Sequence, residues 1–155
     1  MFRFNIRVYG ILINDQKQVL VSDELIRGKF YTKFPGGGLE YGEGTRDCLK
    51  REFQEEMNLK VEVAEHLYTT DHFQQSAFHP DHQIISIYYK VNALENINVR
   101  ISETPFDFNE AQINIYKETN ETESFRLINW EDLFEESVTL PIDKIVVRII
   151  KKQEK

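Results

Sequence analysis

The chain has 155 residues, of which 41% are hydrophobic and 29% charged, and its formal net charge is −7 at pH 7. This length predicts a single domain over residues 1–155 with a core of its own. The acidic balance argues against broad binding to nucleic acid backbones, and no apolar run approaches the length that spans a bilayer, so we expect neither nucleic acid nor membrane as a partner.

The first residues and the single cysteine bear on the compartment. The segment MFRFNIRVYGILIN alternates in polarity and carries Arg3 and Arg7, which predicts a strand and not a signal peptide. Cys48 has no second cysteine for an internal disulfide, and a packing role is expected for it. Both observations favour the reducing cytoplasm.

Strand patterns dominate the N-terminal part of the chain. Apolar-rich segments at 4–14 and 18–24 flank a polar stretch, Asn14 to Lys17, that suits a hairpin turn. A further short strand is predicted from Lys29 to Phe34. Pro35 and the three glycines after it then interrupt regular structure.

A helix is predicted from about Thr45 to Met57, with Thr45 as its cap and Asp47 near the positive end of its dipole. Leu49, Phe53 and Met57 recur every four residues, so they should pack on a sheet. The helix is therefore expected to be anchored by one face and to leave an acidic edge open beside it.

That acidic edge consists of Glu52, Glu55 and Glu56, at positions i, i+3 and i+4. Three like charges within one turn repel one another, which suggests a hard cation that turns the repulsion into ligation. Carboxylate oxygens suit Mg²⁺, with Mn²⁺ as the alternative, and the glycine run could turn the carbonyl of Gly36 toward the same ion. A surface helix with a solvated acidic face is the other interpretation.

A spacing pattern begins at Gly37: glycine, five residues, Glu43, seven residues, Arg51-Glu52-Phe53, one residue, Glu55-Glu56, one residue, Asn58-Leu59. It resembles the Nudix box, the signature of the Nudix hydrolases, which cleave a nucleoside diphosphate linked to another group. The family normally has glycine where Asn58 stands. Asparagine is the other residue that readily enters the left-handed conformation, so we expect the change to be tolerated as a helix cap.

The resemblance implies an α/β protein with the Nudix fold, a mixed β-sheet sandwiched between α-helices. It also implies hydrolysis of a diphosphate linkage in a substrate of the nucleotide sugar, ADP-ribose or nucleoside triphosphate type. The small-molecule nucleotide would be the partner, and a homodimer stays open.

The site residues that the resemblance implies come mainly from the box. Metal ligands would be Glu52 and Glu56 first, then Glu55 and the Gly36 carbonyl. The catalytic group would comprise Glu52, Glu55, Arg51 and Glu43, with Arg51 orienting a box carboxylate and Glu43 reaching the metal through water. Candidate substrate contacts are Arg7, His82 and Glu123.

Beyond the box, strands are predicted from Leu59 to Thr70 and from Gln83 to Leu94. The connection at 71–82 holds His72, His79 and His82. A zinc site, a substrate-facing loop and ordinary polar surface are the three interpretations, and the spacing is not a familiar zinc pattern.

The acidic segment at 95–123 has two interpretations. One is a solvated loop with a short hairpin around INIYKE. The other is a lid, which would make Glu103, Glu110, Glu121 and Glu123 candidates for the group that activates water.

The C-terminal part predicts a strand from Ser124 to Asn129 and a short helix starting at Trp130 to Phe134, with Trp130 packing in the core or stacking on a base. A docked helix follows from Pro141. Its apolar positions would lie opposite Asp143, Lys144 and Lys151.

Two alternatives to an enzyme stay open at this point. One is a non-catalytic Nudix-like module that binds a nucleotide or metabolite and regulates another process. The other is a structural or assembly protein that uses the same fold. Release of phosphate products in the presence of magnesium would separate both from a hydrolase.

Overall fold

The strands form two four-stranded mixed sheets in the computed structural model, which describes residues 1–153. The first sheet contains, in spatial order, β4 (Gly36–Gly38), β1 (Arg3–Leu12), β6 (His82–Ala93) and β5 (Val61–Thr69). The second contains β3 (Lys29–Lys33), β2 (Gln18–Ile26), β8 (Glu121–Asn129) and β7 (Ile101–Ser102). The helices are α1 (Thr45–Met57), α2 (Glu110–Thr119) and α3 (Pro141–Gln153).

The predicted turn between the first two strands is present, but the strands leave it into different sheets. The Lys17 amide donates to the Asn14 carbonyl at 3.0 Å, and the Asn14 side chain accepts from the Gln18 amide at 2.9 Å. A single bridge, Ile13 to Val19, then joins the two sides. Beyond it β1 pairs in parallel with β6, and β2 pairs antiparallel with β3 and β8.

Two hydrophobic clusters hold α1 and α3 against the sheets. On one side Leu49 and Phe53 of α1 are fully buried together with Val8 of β1. On the other side Val146 of α3 packs with Tyr88 of β6 in a second buried cluster. The prediction of mixed β structure sandwiched between helices is therefore confirmed, with the strands divided between two sheets.

The first residue of α1 is Thr45, as predicted, but the cap is Gly44 and the assignment of Thr45 as cap is wrong. Gly44 has the extended backbone of an N-cap, and its amide donates to the Asp47 carboxylate at 3.3 Å. Thr45 is already helical, and its hydroxyl shares a 2.7 Å hydrogen bond with the Tyr89 hydroxyl. That bond ties the start of α1 to β6.

Asn58 ends α1 in the left-handed conformation, with φ 49° and ψ 42°, which confirms the prediction made for it. Its amide donates to the Gln54 carbonyl at 2.9 Å, and the Leu59 amide reaches the Phe53 carbonyl at 3.4 Å. These two bonds satisfy carbonyls that the helix end would otherwise leave free.

Replacing Asn58 with glycine should therefore be neutral or stabilise the fold by at most about 1 kcal/mol, since glycine enters this conformation without strain. Asn58→Ala is the matched control, and it should destabilise because its Cβ is unfavourable at this φ. Urea unfolding of the three proteins measures both effects. A loss above about 1 kcal/mol in Asn58→Gly would show that the side-chain bond to Gln54, not the backbone conformation, decides the stability of this cap.

The hairpin predicted around INIYKE is wrong, because these residues form α2. Asn109 caps the helix by accepting from the Gln112 amide at 2.9 Å, and the Gln112 side chain accepts from the Asn109 amide at 2.8 Å. No side chain of α2 is buried, so the segment lacks the apolar period by which helices are usually predicted. The only indication of a helix in the sequence was the Asn109–Gln112 spacing, which is typical of a capping box.

The C-terminal region follows the prediction except that β8 begins at Glu121 and not at Ser124, and that Asp143 is buried. Trp130 begins a 3-10 turn and is partly buried against the second hydrophobic cluster, which contains Val146 of α3. The Lys151 ammonium lies 4.6 Å from the centre of its ring. Asp143, expected on the outer face of α3, is instead buried and accepts a hydrogen bond from the Tyr88 hydroxyl. None of the helices within residues 1–153 is long and apolar enough to cross a bilayer.

Candidate active site

Four carboxylates from three elements come together beside α1. Glu52 and Glu56 lie on the helix, and Glu24 and Glu123 stand directly opposite each other on β2 and β8, with both side chains on one face of the second sheet. Burial raises the pKa of Glu56 well above its ordinary value, and the charges of Glu123, Glu52 and Glu24 raise it further. These four residues are called the carboxylate cluster below.

Arg51 connects α1 to the glycine-rich segment before it. Its guanidinium donates to both Glu43 oxygens, at 2.7 and 3.0 Å, and to the Gly38 carbonyl at 3.1 Å. It also donates to Glu52 at 3.0 Å and to Glu55 at 3.2 Å. The hydrogen bonds from Arg51 lower the pKa of Glu43 to about 2, so Glu43 stays ionised. This geometry supports the prediction that Arg51 orients a box carboxylate.

Two glycines allow the close approach of β4 to its surroundings. A Cβ on Gly36, whose φ is 153°, would lie 2.0 Å from the Val8 carbonyl oxygen of β1. A Cβ on Gly37 would lie 2.4 Å from the carboxylate carbon of Glu52. The Glu52 carboxylate thus occupies the space that any larger residue at position 37 would need.

The second sheet adds polar side chains that the sequence analysis did not identify. The Lys33 ammonium lies 3.3 Å from Glu24, and both side chains are largely buried. The Ser22 hydroxyl lies 3.0 Å from Glu24 and 3.1 Å from Glu123. Burial and the charge of Glu24 raise the pKa of Glu123. In the sequence, these positions were marked only by charged residues within the strands QVLVSDELI and KFYTK.

A cavity of about 490 Å³ lies next to the carboxylate cluster. Its walls include Arg7 and Tyr9 of β1, the segment 74–79, and the start of α3, and Glu24 and Lys33 face it from the second sheet. Residues 74–79 of the 71–82 connection thus border a cavity, which the interpretation as a substrate-facing loop requires.

The structure separates the other predicted residues. Of the substrate candidates, Arg7 lines the cavity and Glu123 belongs to the carboxylate cluster, whereas His82 faces a different groove beside Phe2 and Phe4. Of the remaining acidic candidates, Glu121 lines the cavity, Glu103 faces a third groove, and Glu110 is exposed on the first turn of α2.

Within residues 1–153, no group of three or more His, Cys, Asp or Glu side chains, the carboxylate cluster included, is already arranged to hold a metal ion. The zinc interpretation of the three histidines therefore gains no support. The carboxylate cluster nevertheless has the donor chemistry for a hard cation. Glu56 accepts no side-chain hydrogen bond from the described residues. Burial, and then the negative charges of Glu123, Glu52 and Glu24, raise its pKa, and a bound cation would offset those charges. The residues present fit a divalent ion.

The metal-free protein should lose stability as the pH rises from about 5.5 to 8, by on the order of 2 kcal/mol. Burial raises the pKa of Glu56, Glu123 and Asp143, the last to about 6. An acid whose folded-state pKa is raised stabilises the fold fully below its unfolded pKa, and this contribution is lost as the pH passes the folded value. Glu43, with its lowered pKa, has already reached its full contribution at pH 5.5.

Urea unfolding at both pH values in chelator-treated buffer measures this difference. Magnesium added at pH 8 should recover part of the loss, because an ion bound only by the folded state stabilises it. A metal-free protein that is equally stable at the two pH values would contradict the prediction.

Comparison with known proteins gives one family match and several similar folds. The NUDIX domain family model matches residues 3–148. A search of curated proteins found no match. The Escherichia coli ORF135 protein superposes with a TM-score of 0.70 at 15% identity, covering 99% of this chain and 92% of that one.

Two further solved structures show the same likeness. A MutT NUDIX hydrolase from Burkholderia pseudomallei has a TM-score of 0.67 at 16% identity, covering 95% of this chain and 98% of that one. An ADP-ribose pyrophosphatase from Streptococcus suis has a TM-score of 0.57 at 14% identity, covering 97% of this chain and 94% of that one. At these identities the likeness concerns the fold.

Proposed function

The chain belongs to the Nudix hydrolase family, and from this premise we propose that it hydrolyses the diphosphate linkage of a nucleoside diphosphate joined to another group, with the help of a divalent cation. The observation that carries the proposal is the carboxylate cluster on α1, β2 and β8 with a cavity of about 490 Å³ beside it. A volume of this size suits a small-molecule substrate.

The reaction begins with water attacking phosphorus. A new P–O bond forms as the bridging P–O bond breaks, the proton of the water passes to a carboxylate, and the leaving phosphate takes the bond electrons. Glu123 is suited to receive the proton, because burial raises its pKa toward the operating pH.

Residues of the box would hold the cation. Glu52 and Glu56 are the proposed first ligands, followed by Glu55 and the Gly36 carbonyl, and Mg²⁺ is the proposed ion with Mn²⁺ as the alternative. Bound there, the ion would neutralise the diphosphate and lower the pKa of a coordinated water. Arg51 positions Glu52 through their 3.0 Å hydrogen bond and keeps Glu43 ionised at the edge of the site.

A hydrolysis screen tests this function. Nucleotide sugars, ADP-ribose, dinucleoside polyphosphates and nucleoside triphosphates are each incubated with the protein and Mg²⁺ or Mn²⁺, and released phosphate products are measured. The control is the same reaction with chelator, and Glu52→Gln is the matched variant. We expect turnover of at least one class that needs the metal and Glu52. If a compound binds tightly but no compound of any class is hydrolysed, the result would favour the non-catalytic regulatory module instead.

We also propose that the enzyme acts in the cytoplasm on a small-molecule nucleotide, without nucleic acid or membrane as a partner, and that residues 1–155 form one domain. A homodimer stays open, and light scattering of the purified protein decides it.

A further inference from the structure

Two cationic side chains lie at the boundary between the carboxylate cluster and the cavity. Arg7 comes from β1 of the first sheet and Lys33 from β3 of the second, and both line the cavity. Lys33 is only 6% exposed and Arg7 is half-buried. Buried cations carry a desolvation cost, so they are normally paired with anions.

Arg7 is far from saturated by its neighbours. Its Nε donates to the Tyr9 hydroxyl at 3.1 Å, and among residues 1–153 its guanidinium forms no salt bridge within 4.0 Å. Arg51 shows the contrast, since its guanidinium donates to Glu43, Glu52, Glu55 and a backbone carbonyl. A guanidinium carries five N–H donors, so most of those on Arg7 remain available for an anion in the cavity.

Lys33 has donors to spare as well. Its ammonium makes one hydrogen bond among the described residues, to Glu24 at 3.3 Å. Burial alone would lower the pKa of Lys33, but the nearby Tyr9 and Glu24 outweigh it, so the ammonium stays charged. Glu24 is thus the ion-pair partner of Lys33, whereas Arg7 has no carboxylate partner within 4.0 Å among the described residues.

We propose that Arg7 and Lys33 form a clamp for the phosphoryl group on the cavity side of the carboxylate cluster. The planar fork of arginine binds two oxygens of such a group, and the lysine adds a point charge from the opposite sheet. The clamp would hold the substrate so that its diphosphate lies against the cluster and the rest of the molecule fills the cavity. The identity of the ligand as an organic diphosphate rests on the proposed function, but the anion site itself needs no bound metal.

Calorimetric titration with methylenediphosphonate in metal-free buffer tests the clamp. This non-hydrolysable diphosphate has no nucleoside, so its binding reports on the phosphoryl site alone. We expect wild type to bind it and Arg7→Met and Lys33→Met to bind at least tenfold more weakly, while Arg7→Lys and Lys33→Arg recover part of the affinity. Lys29→Met is the control, since Lys29 is exposed on the same strand.

Two further measurements keep the test decisive. Lys33→Met removes the cationic partner of Glu24, so the double variant Lys33→Met/Glu24→Gln is examined alongside it. If neither of these two variants folds, the Arg7 variants supply the result. Inorganic phosphate and nucleoside monophosphates are titrated in parallel. Free phosphate that binds as tightly as the diphosphonate would overturn the assignment to an organic diphosphate.

The outcomes also separate the clamp from the proposed reaction. Folded Arg7 and Lys33 variants that bind the diphosphonate like wild type, or a wild type that does not bind it, would overturn the clamp even if the enzyme hydrolyses nucleotides. Affinity lost in both variants, with no substrate hydrolysed in the screen, would support the clamp and overturn the proposed function.

Discussion

Replacing Glu56 with glutamine should lower turnover by on the order of a thousandfold while the protein stays folded. Glu56 lies half-buried in the carboxylate cluster, where burial and the charges of Glu123 and Glu52 raise its pKa. Glutamine keeps the size and the helix propensity of the side chain but loses the charge that would hold the cation. A metal ligand lost at the transferring phosphate costs several kcal/mol of transition-state stabilisation.

Turnover of the best substrate is measured at several magnesium concentrations, alongside urea unfolding without metal at about pH 8. We expect the metal-free variant to be at least as stable as wild type, because one member of a crowded acidic group is gone. Glu62→Gln serves as the control, since Glu62 is exposed on β5. Normal turnover of Glu56→Gln at low magnesium would overturn the assignment of Glu56 as a ligand.

The parts of the site that the sequence predicted are local ones. The bounds of α1, the burial of Leu49 and Phe53, and the left-handed Asn58 all follow from residues within a few positions of one another. Helical period and capping operate at that range. This is why the box helix and its acidic edge could be predicted from one sequence.

The remainder of the site depends on long-range strand pairing. Ser22 and Glu123, whose side chains lie 3.1 Å apart, are separated by 101 residues along the chain. Lys33 could not be placed beside Glu24 until the register of β2 and β3 was known. Glu123 was one of four acidic candidates in the 95–123 segment, and the pairing of β8 with β2 is what singles it out.

Two of the wrong predictions, the hairpin in place of α2 and the exposed Asp143, have related physical causes. α2 buries no side chain, so no hydrophobic period marked it as a helix. Asp143 was assigned to the exposed face of α3 because a carboxylate is rarely buried unless it is paired. Its partner, the Tyr88 hydroxyl on β6, lies 55 positions earlier in the chain and could not be anticipated from the helix alone.

Replacing Gly37 with alanine should lower turnover by about a hundredfold, because a misplacement of about 1 Å in a catalytic group has an effect of this size. The new Cβ would lie 2.4 Å from the Glu52 carboxylate carbon. The carboxylate is the far end of a flexible side chain, so it can move away without unfolding the protein. Moving it breaks the 3.0 Å bond from Arg51 and takes a proposed metal ligand out of place.

The neighbouring glycines supply matched controls on the same short strand. A Cβ on Gly38 has Arg7 Nη1 as its nearest atom, at 3.4 Å, so Gly38→Ala should stay within about tenfold of wild-type turnover. A Cβ on Gly36 would lie 2.0 Å from a backbone oxygen of β1, so Gly36→Ala should lose stability instead. Thermal unfolding and magnesium-dependent turnover of the three variants separate these effects. Full activity in a folded Gly37→Ala would show that Glu52 does not act from the position it occupies beside β4.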